Sequence, residues 1–162
     1  MLQRIQTVFM FLAVVAGVMI FFFPIATYVS DTSYLKFFLH MIKELSTEPF
    51  RDMSVENMQF EQWFTLPLSA GQLIILILLF VSIFKYRKRL LQIRLNNLNI
   101  FLNVLLVGGI FYYTTILEEK TGTTSQYGIG AVFPLVAIVL LFLANYHIRK
   151  DEKLIRSANR LR

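Results

Sequence analysis

The chain has 162 residues, of which 56% are hydrophobic and only 16% charged, with a formal net charge of +6 and a mean hydropathy of +0.60. That balance is too apolar for a water-soluble domain of this length. With no Cys there is no disulfide, thiolate metal site or cysteine nucleophile, and His40 and His147 are the whole supply of imidazole.

A transmembrane helix needs roughly 20 mostly apolar residues to cross about 30 Å of hydrocarbon. Four segments meet that test, at about residues 7–28, 64–84, 98–117 and 129–147, none with a charged residue away from its ends. The first is longer than the apolar core of a signal peptide, about 7–15 residues, and is read as a retained helix kinked near its outer end by Pro24. The expected fold is therefore an all-α membrane protein, a four-transmembrane-helix bundle in one integral domain. An outer loop spans residues 29–63 and a basic tail spans 148–162.

Within the outer loop, Leu35, Phe38, Leu39, Ile42 and Leu45 recur at helical spacing, with Lys36, Lys43 and Glu44 on the rest of the wheel. This pattern predicts a short amphipathic helix, ended by Glu48-Pro49. The acidic stretch that follows gives no periodic signal.

Orientation follows from the loops. One side carries twelve Lys and Arg: Arg4; Lys85, Arg87, Lys88, Arg89 and Arg94 between the second and third segments; and Arg149, Lys150, Lys153, Arg156, Arg160 and Arg162 in the tail. The other side carries four, with eight acids. Positive residues stay inside, so both termini and the middle loop are expected in the cytoplasm. Tyr28, Trp63, Tyr112, Tyr113 and Tyr127 then fall at the outer interface, where amphipathic rings gather. Basic residues beside membrane spans serve topology and anionic lipid at about 1 kcal/mol each, and no aromatic-interleaved basic surface suggests base stacking. Direct nucleic-acid binding is not expected.

Polar residues at membrane depth mark either helix packing or a functional cavity. Gln72 lies two turns into the second segment, and Asn96, Asn99 and Asn103 share one face of the third. Uncharged amides without a carboxylate or cation make a poor transport site, so Gln72, Asn99 and Asn103 are read as interhelical hydrogen-bonding residues. Ala13 with Gly17, and the pair Gly108 and Gly109, are small-residue packing positions. His147 stands at an inner helix end with no second imidazole at its depth, the setting of an interfacial histidine. No nucleophile with a base, metal cluster or phosphate-cradling loop is present, so no catalytic, metal or cofactor-binding residue is assigned and an enzyme is not expected.

The tail continues a helical stripe through Ile148, Leu154, Ile155, Ala158 and Leu161. The starting run MLQRIQTVF, the middle RKRLLQIRLNNLNIFLN and above all the end, IRKDEKLIRSANRLR, resemble an inner-membrane family of the Bacteroidota catalogued as domain of unknown function 4293. The resemblance implies four helices in a bacterial cytoplasmic membrane and no established activity. Three functions stay open: an accessory subunit of a larger inner-membrane assembly, a lipid- or small-molecule-binding sensor using the outer loop and the Gln72/Asn103 region, and a small transporter, disfavoured by the uncharged interior. The surplus of cytoplasmic charge at Arg87, Lys88, Arg89, Arg94, Arg149, Lys150, Lys153, Arg156 and Arg160, with Leu154 and Leu161, marks the expected contact with membrane lipids or a partner subunit.

Overall fold

The computed structural model describes residues 3–29, 33–46, 62–86 and 88–160. Four helices dominate it: α1 (Gln3–Met19), α2 (Leu66–Phe84), α3 (Arg89–Thr121) and α4 (Phe133–Arg160). Each helix buries one stripe at spacings of three and four, the pattern by which packed helices interlock. In α1 the stripe is Gln6, Met10, Ala13 and Gly17, continued by Ile20 in the turn that follows, and in α2 it is Leu68, Gln72, Ile75, Leu79 and Ser82. In α3 it runs from Gln92 through Asn96, Asn99, Asn103, Leu106, Ile110 and Thr114 to Leu117. The helices close into a ring, α1 packing on α4 and α2, and α3 on α2 and α4.

Their outward surfaces are apolar. Phe11, Leu73, Phe101, Val139 and Phe142 are each more than half exposed, while Gln72, Asn96, Asn99 and Asn103 are almost wholly buried. An exposed apolar surface of this extent is untenable in water, and the distribution is that of a helical membrane protein. By length and composition α2, α3 and residues Ile129–Lys153 can each cross a bilayer, and α1 contributes a shorter apolar helix, Ile5–Met19.

The all-α expectation is corrected by a small sheet at the end of the bundle opposite the α2–α3 turn. Strands β1 (Ala26–Val29), β2 (Ser33–Phe37), β3 (Ile42–Ser46) and β4 (Ser125–Tyr127) form an antiparallel sheet in the order β3-β2-β1-β4. The predicted amphipathic helix of the outer loop is the β2–β3 hairpin, with Phe37 opposite Ile42 and Phe38 N–H bonded to Met41 O at 2.9 Å. The segment also reads at a period of two, with Leu35, Phe37 and Leu39 buried and Tyr34, Lys36 and Phe38 half-buried between them. The pairing edge of β1, and of β4 about a hundred residues on, decides between the two readings, and local periodicity cannot see it. The acidic stretch after the hairpin, with Glu48-Pro49, lies outside the described residues.

Helix boundaries shift for related reasons. α1 stops at Met19 rather than reaching Tyr28: Pro24 excludes helical geometry at Phe23, and the chain turns through Phe22 N–H on Met19 O at 3.0 Å into β1. Pro24 thus marks the helix-to-strand switch and is not a kink. α3 starts at Arg89 and ends at a left-handed Gly122 (φ 66°) whose N–H caps Glu118 O, the backbone setting that favours glycine. A 3-10 turn over Ile129–Val132 precedes α4, which carries helical geometry on to Arg160.

Two glycines fasten the sheet to the bundle. Gly128 N–H bonds Ile25 O at 2.8 Å and Gly130 N–H bonds Pro24 O at 3.0 Å. A Cβ on Gly130 would stand 2.6 Å from Pro24 O and 2.7 Å from Phe23 O, both backbone atoms with little freedom to retreat. Gly130→Ala is expected to lower stability by about 1–3 kcal/mol, read as a reduced unfolding midpoint of the full chain in detergent. Gly108→Ala, where a Cβ meets nothing within 4 Å, is expected to be neutral or stabilising.

Candidate functional site

The interior of the bundle is polar toward the basic end. Ser82 Oγ on α2 donates to Asn96 Oδ1 on α3 at 2.7 Å. Asn96 Nδ2 donates to Asn145 Oδ1 on α4 at 3.1 Å, and Asn145 Nδ2 returns to Asn97 Oδ1 at 2.8 Å. Below them Gln92 Nε2 reaches Ser82 O at 3.3 Å and the Met10 sulfur at 3.2 Å, which brings in α1. The first four rungs of the α3 stripe are therefore amides, and side chains of all four helices meet on them.

The three amides singled out by sequence sit in this interior in different ways. Gln72 Nε2 donates to Gly17 O at 2.7 Å, a bond from α2 to α1 at the small-residue position where a Cβ would strike that same nitrogen. Asn103 Nδ2 turns back on its own helix to Asn99 O at 2.9 Å. The Asn99 side chain is fully buried, and neither its Oδ1 nor its Nδ2 has a hydrogen-bond partner; Gln72 Oε1 and Gln6 Oε1 are likewise unpaired. Ser82, Gln92 and Asn145 were missed by sequence reading. Gln92 was within reach, because it extends the 96, 99, 103 series by one step of four.

The basic residues gather at one end. The Asn96–Asn145 bond and the stack of Phe9 on His147, with ring centroids 5.4 Å apart, set the early turns of α1 and α3 beside the middle of α4, where its basic segment begins. Lys88, Arg94, Arg149, Lys150 and Lys153 are exposed there and Arg89 is half-buried. Leu154, Arg156 and Arg160 lie on the α4 backbone beyond them, while Arg87 and Leu161 are outside the described residues. Among the described residues, no three His, Asp or Glu side chains converge on a point that would hold a metal ion.

At the opposite end Trp63, Tyr112 and Tyr127 are exposed, but Tyr28 is buried beneath the sheet and donates its hydroxyl to Thr114 O at 3.2 Å. Burial, with smaller contributions from Glu118 and Tyr127, holds the Tyr28 phenol well above its ordinary value of 10.0. Glu118 in turn accepts the Ser125 N–H at 2.8 Å and the Ser125 hydroxyl, which locks β4 onto the end of α3.

The family described as Domain of unknown function (DUF4293) matches residues 2–161, nearly the whole chain. The chain belongs to that family. No curated protein matches it. The DUF4293 match takes in the amide rungs, the 128–130 glycine contact and the basic end alike.

Asn96→Leu is expected to cost about 1–3 kcal/mol, because it strands the Ser82 hydroxyl and the Asn145 carbonyl in the interior. Asn99→Leu removes two unpaired groups and is expected to leave the unfolding midpoint unchanged or raised. A matched series in detergent checks both. For Tyr28, a phenol whose folded value is raised contributes stability that is complete below its unfolded value, near 10, and lost as pH climbs above it. Tyr28→Phe is therefore expected to lower stability at neutral pH and to flatten the alkaline limb of a stability-against-pH profile.

Proposed function

We propose that the protein is a four-span, multi-pass protein of a bacterial cytoplasmic membrane, acting as a non-catalytic subunit that docks a larger membrane assembly through its basic cytoplasmic end. The observation that carries this reading is the reach of α4. Its 28 residues extend about 42 Å at 1.5 Å per residue, well beyond about 30 Å of hydrocarbon. The excess holds Arg149, Lys150, Lys153, Arg156 and Arg160 with Leu154 among them, an apolar contact surrounded by cations of the kind that forms the core and rim of an interface. Alongside it, Lys88, Arg89 and Arg94 begin α3. The asymmetry of twelve basic residues against four supports placing this end in the cytoplasm. α1, though only 17 residues long, falls at the lower limit of about 17–25 for a span, and the apolar turn after it, Ile20 to Phe23, adds reach.

The unpaired amide of Asn99 favours a second reading, a membrane sensor that accommodates a small neutral hydrogen-bonding molecule within the bundle. Loss of cellular activity in a folded, inserted Asn99→Leu variant selects it.

Reporters fused after Arg162 and beside Lys88 are expected to read cytoplasmic, and one at Glu56 external. A photo-crosslinker at position 154, used in intact membranes, is expected to capture one discrete protein partner. Leu154→Ser with Leu161→Ser is expected to abolish that product while the chain stays in the membrane. Absence of any captured protein from the wild type would overturn the subunit reading.

A further inference from the structure

A groove of about 480 Å³ runs along the outward face of α2, lined among the described residues by apolar side chains from Leu73 to Phe84 and ending at Lys85. Its walls Leu73, Ile77, Phe80 and Phe84 are each more than half exposed, and the Phe80 and Phe84 rings, 6.2 Å apart, stand at its basic end. From Leu73 to Phe84 the helix rises about 16 Å, which is one leaflet of a bilayer whose hydrocarbon is about 30 Å thick. The concave part of this face stops at mid-depth, and its deep end carries no charge, which suits an acyl chain of one leaflet. At its shallow end the chain turns tightly, with Lys88 N–H on Lys85 O at 2.9 Å, so that the exposed residues Lys85, Tyr86 and Lys88 fall within a single turn of chain. The described acids at this end, Asp151 and Glu152, belong to α4, which stands diagonally across the ring from α2.

We propose that this groove is a binding site for an anionic phospholipid of the cytoplasmic leaflet, one acyl chain lying along Leu73, Ile77 and Phe80 and the phosphate held by Lys85 and Lys88. The inference rests on the membrane orientation given under Proposed function, and it is independent of whether a protein partner docks on α4. Apolar contact supplies adhesion for any lipid. The two lysines supply the preference for negative charge, at about 1 kcal/mol each near a membrane surface.

The test uses the full chain reconstituted in phosphatidylcholine vesicles, with spin-labelled phosphatidylglycerol or spin-labelled phosphatidylcholine as the probe. Alkaline carbonate extraction is run in parallel. Wild type is expected to immobilise phosphatidylglycerol over phosphatidylcholine by about thirtyfold. Lys85→Gln with Lys88→Gln is expected to bring that ratio close to one, and Ile77→Trp, which fills the groove, to lower the immobilised phosphatidylglycerol while the chain remains inserted. Equal immobilisation of both lipids by an inserted wild type overturns the site alone. So does a preference that survives the lysine variant, or undiminished immobilisation of phosphatidylglycerol by the Trp variant. Release of the chain by carbonate overturns the membrane reading and the site with it.

Discussion

A hydrocarbon medium offers no hydrogen bonds, so every backbone and amide group inside it must find a partner within the protein or stand unpaired at a cost. This constraint orders the whole structure. The outward faces of all four helices are Phe, Leu, Ile and Val, and the polar side chains are turned inward onto a seam where Ser82, Asn96 and Asn145 bond across three helices. Once the amides must face one another, the rotation of each helix about its axis is fixed. The stripes at spacings of three and four then determine which apolar residues meet outside the seam. The polar interior therefore specifies the register of a bundle whose apolar surfaces alone would pack in several ways.

The sheet end solves a different problem. Two connections, between α1 and α2 and between α3 and α4, emerge there, and β1 pairs with β4 to join them into one sheet. The close backbone approach of Gly130 and Gly128 to Pro24 and Ile25, the Tyr28–Thr114 bond and the Glu118–Ser125 bonds all fall within this join. The helical end facing it is tied by amides. The two ends are thus held by different chemistry, backbone pairing at one and side-chain amides at the other.

Much of this organisation was legible in the sequence, because apolar length and amide spacing are local properties. The cores of the four helices, the inward face of Asn96, Asn99 and Asn103, and the family resemblance all came from contiguous residues. The sheet was not legible. The run from Leu35 to Leu45 fits a helical wheel nearly as well as a strand, and what tips it is β1, whose own Ala26, Thr27 and Tyr28 look like the end of a transmembrane helix until Pro24 is given its full weight. The partners of the amides were hidden for the same reason. Asn145 is the first polar residue of α4, at the end of its apolar run, and its role appears only when α3 is laid beside it.

The central claim is that apolar helix faces meet lipid and amide faces meet one another. The absence of Cys from the chain allows single nitroxide labels at Phe101, Phe142 and Asn96 in reconstituted vesicles, with collision rates measured against oxygen and against a water-soluble nickel complex. The account predicts strong oxygen and weak nickel collisions at 101 and 142, and weak collisions with both at 96. Strong nickel collisions at 101 and 142 would show those faces in water and contradict it.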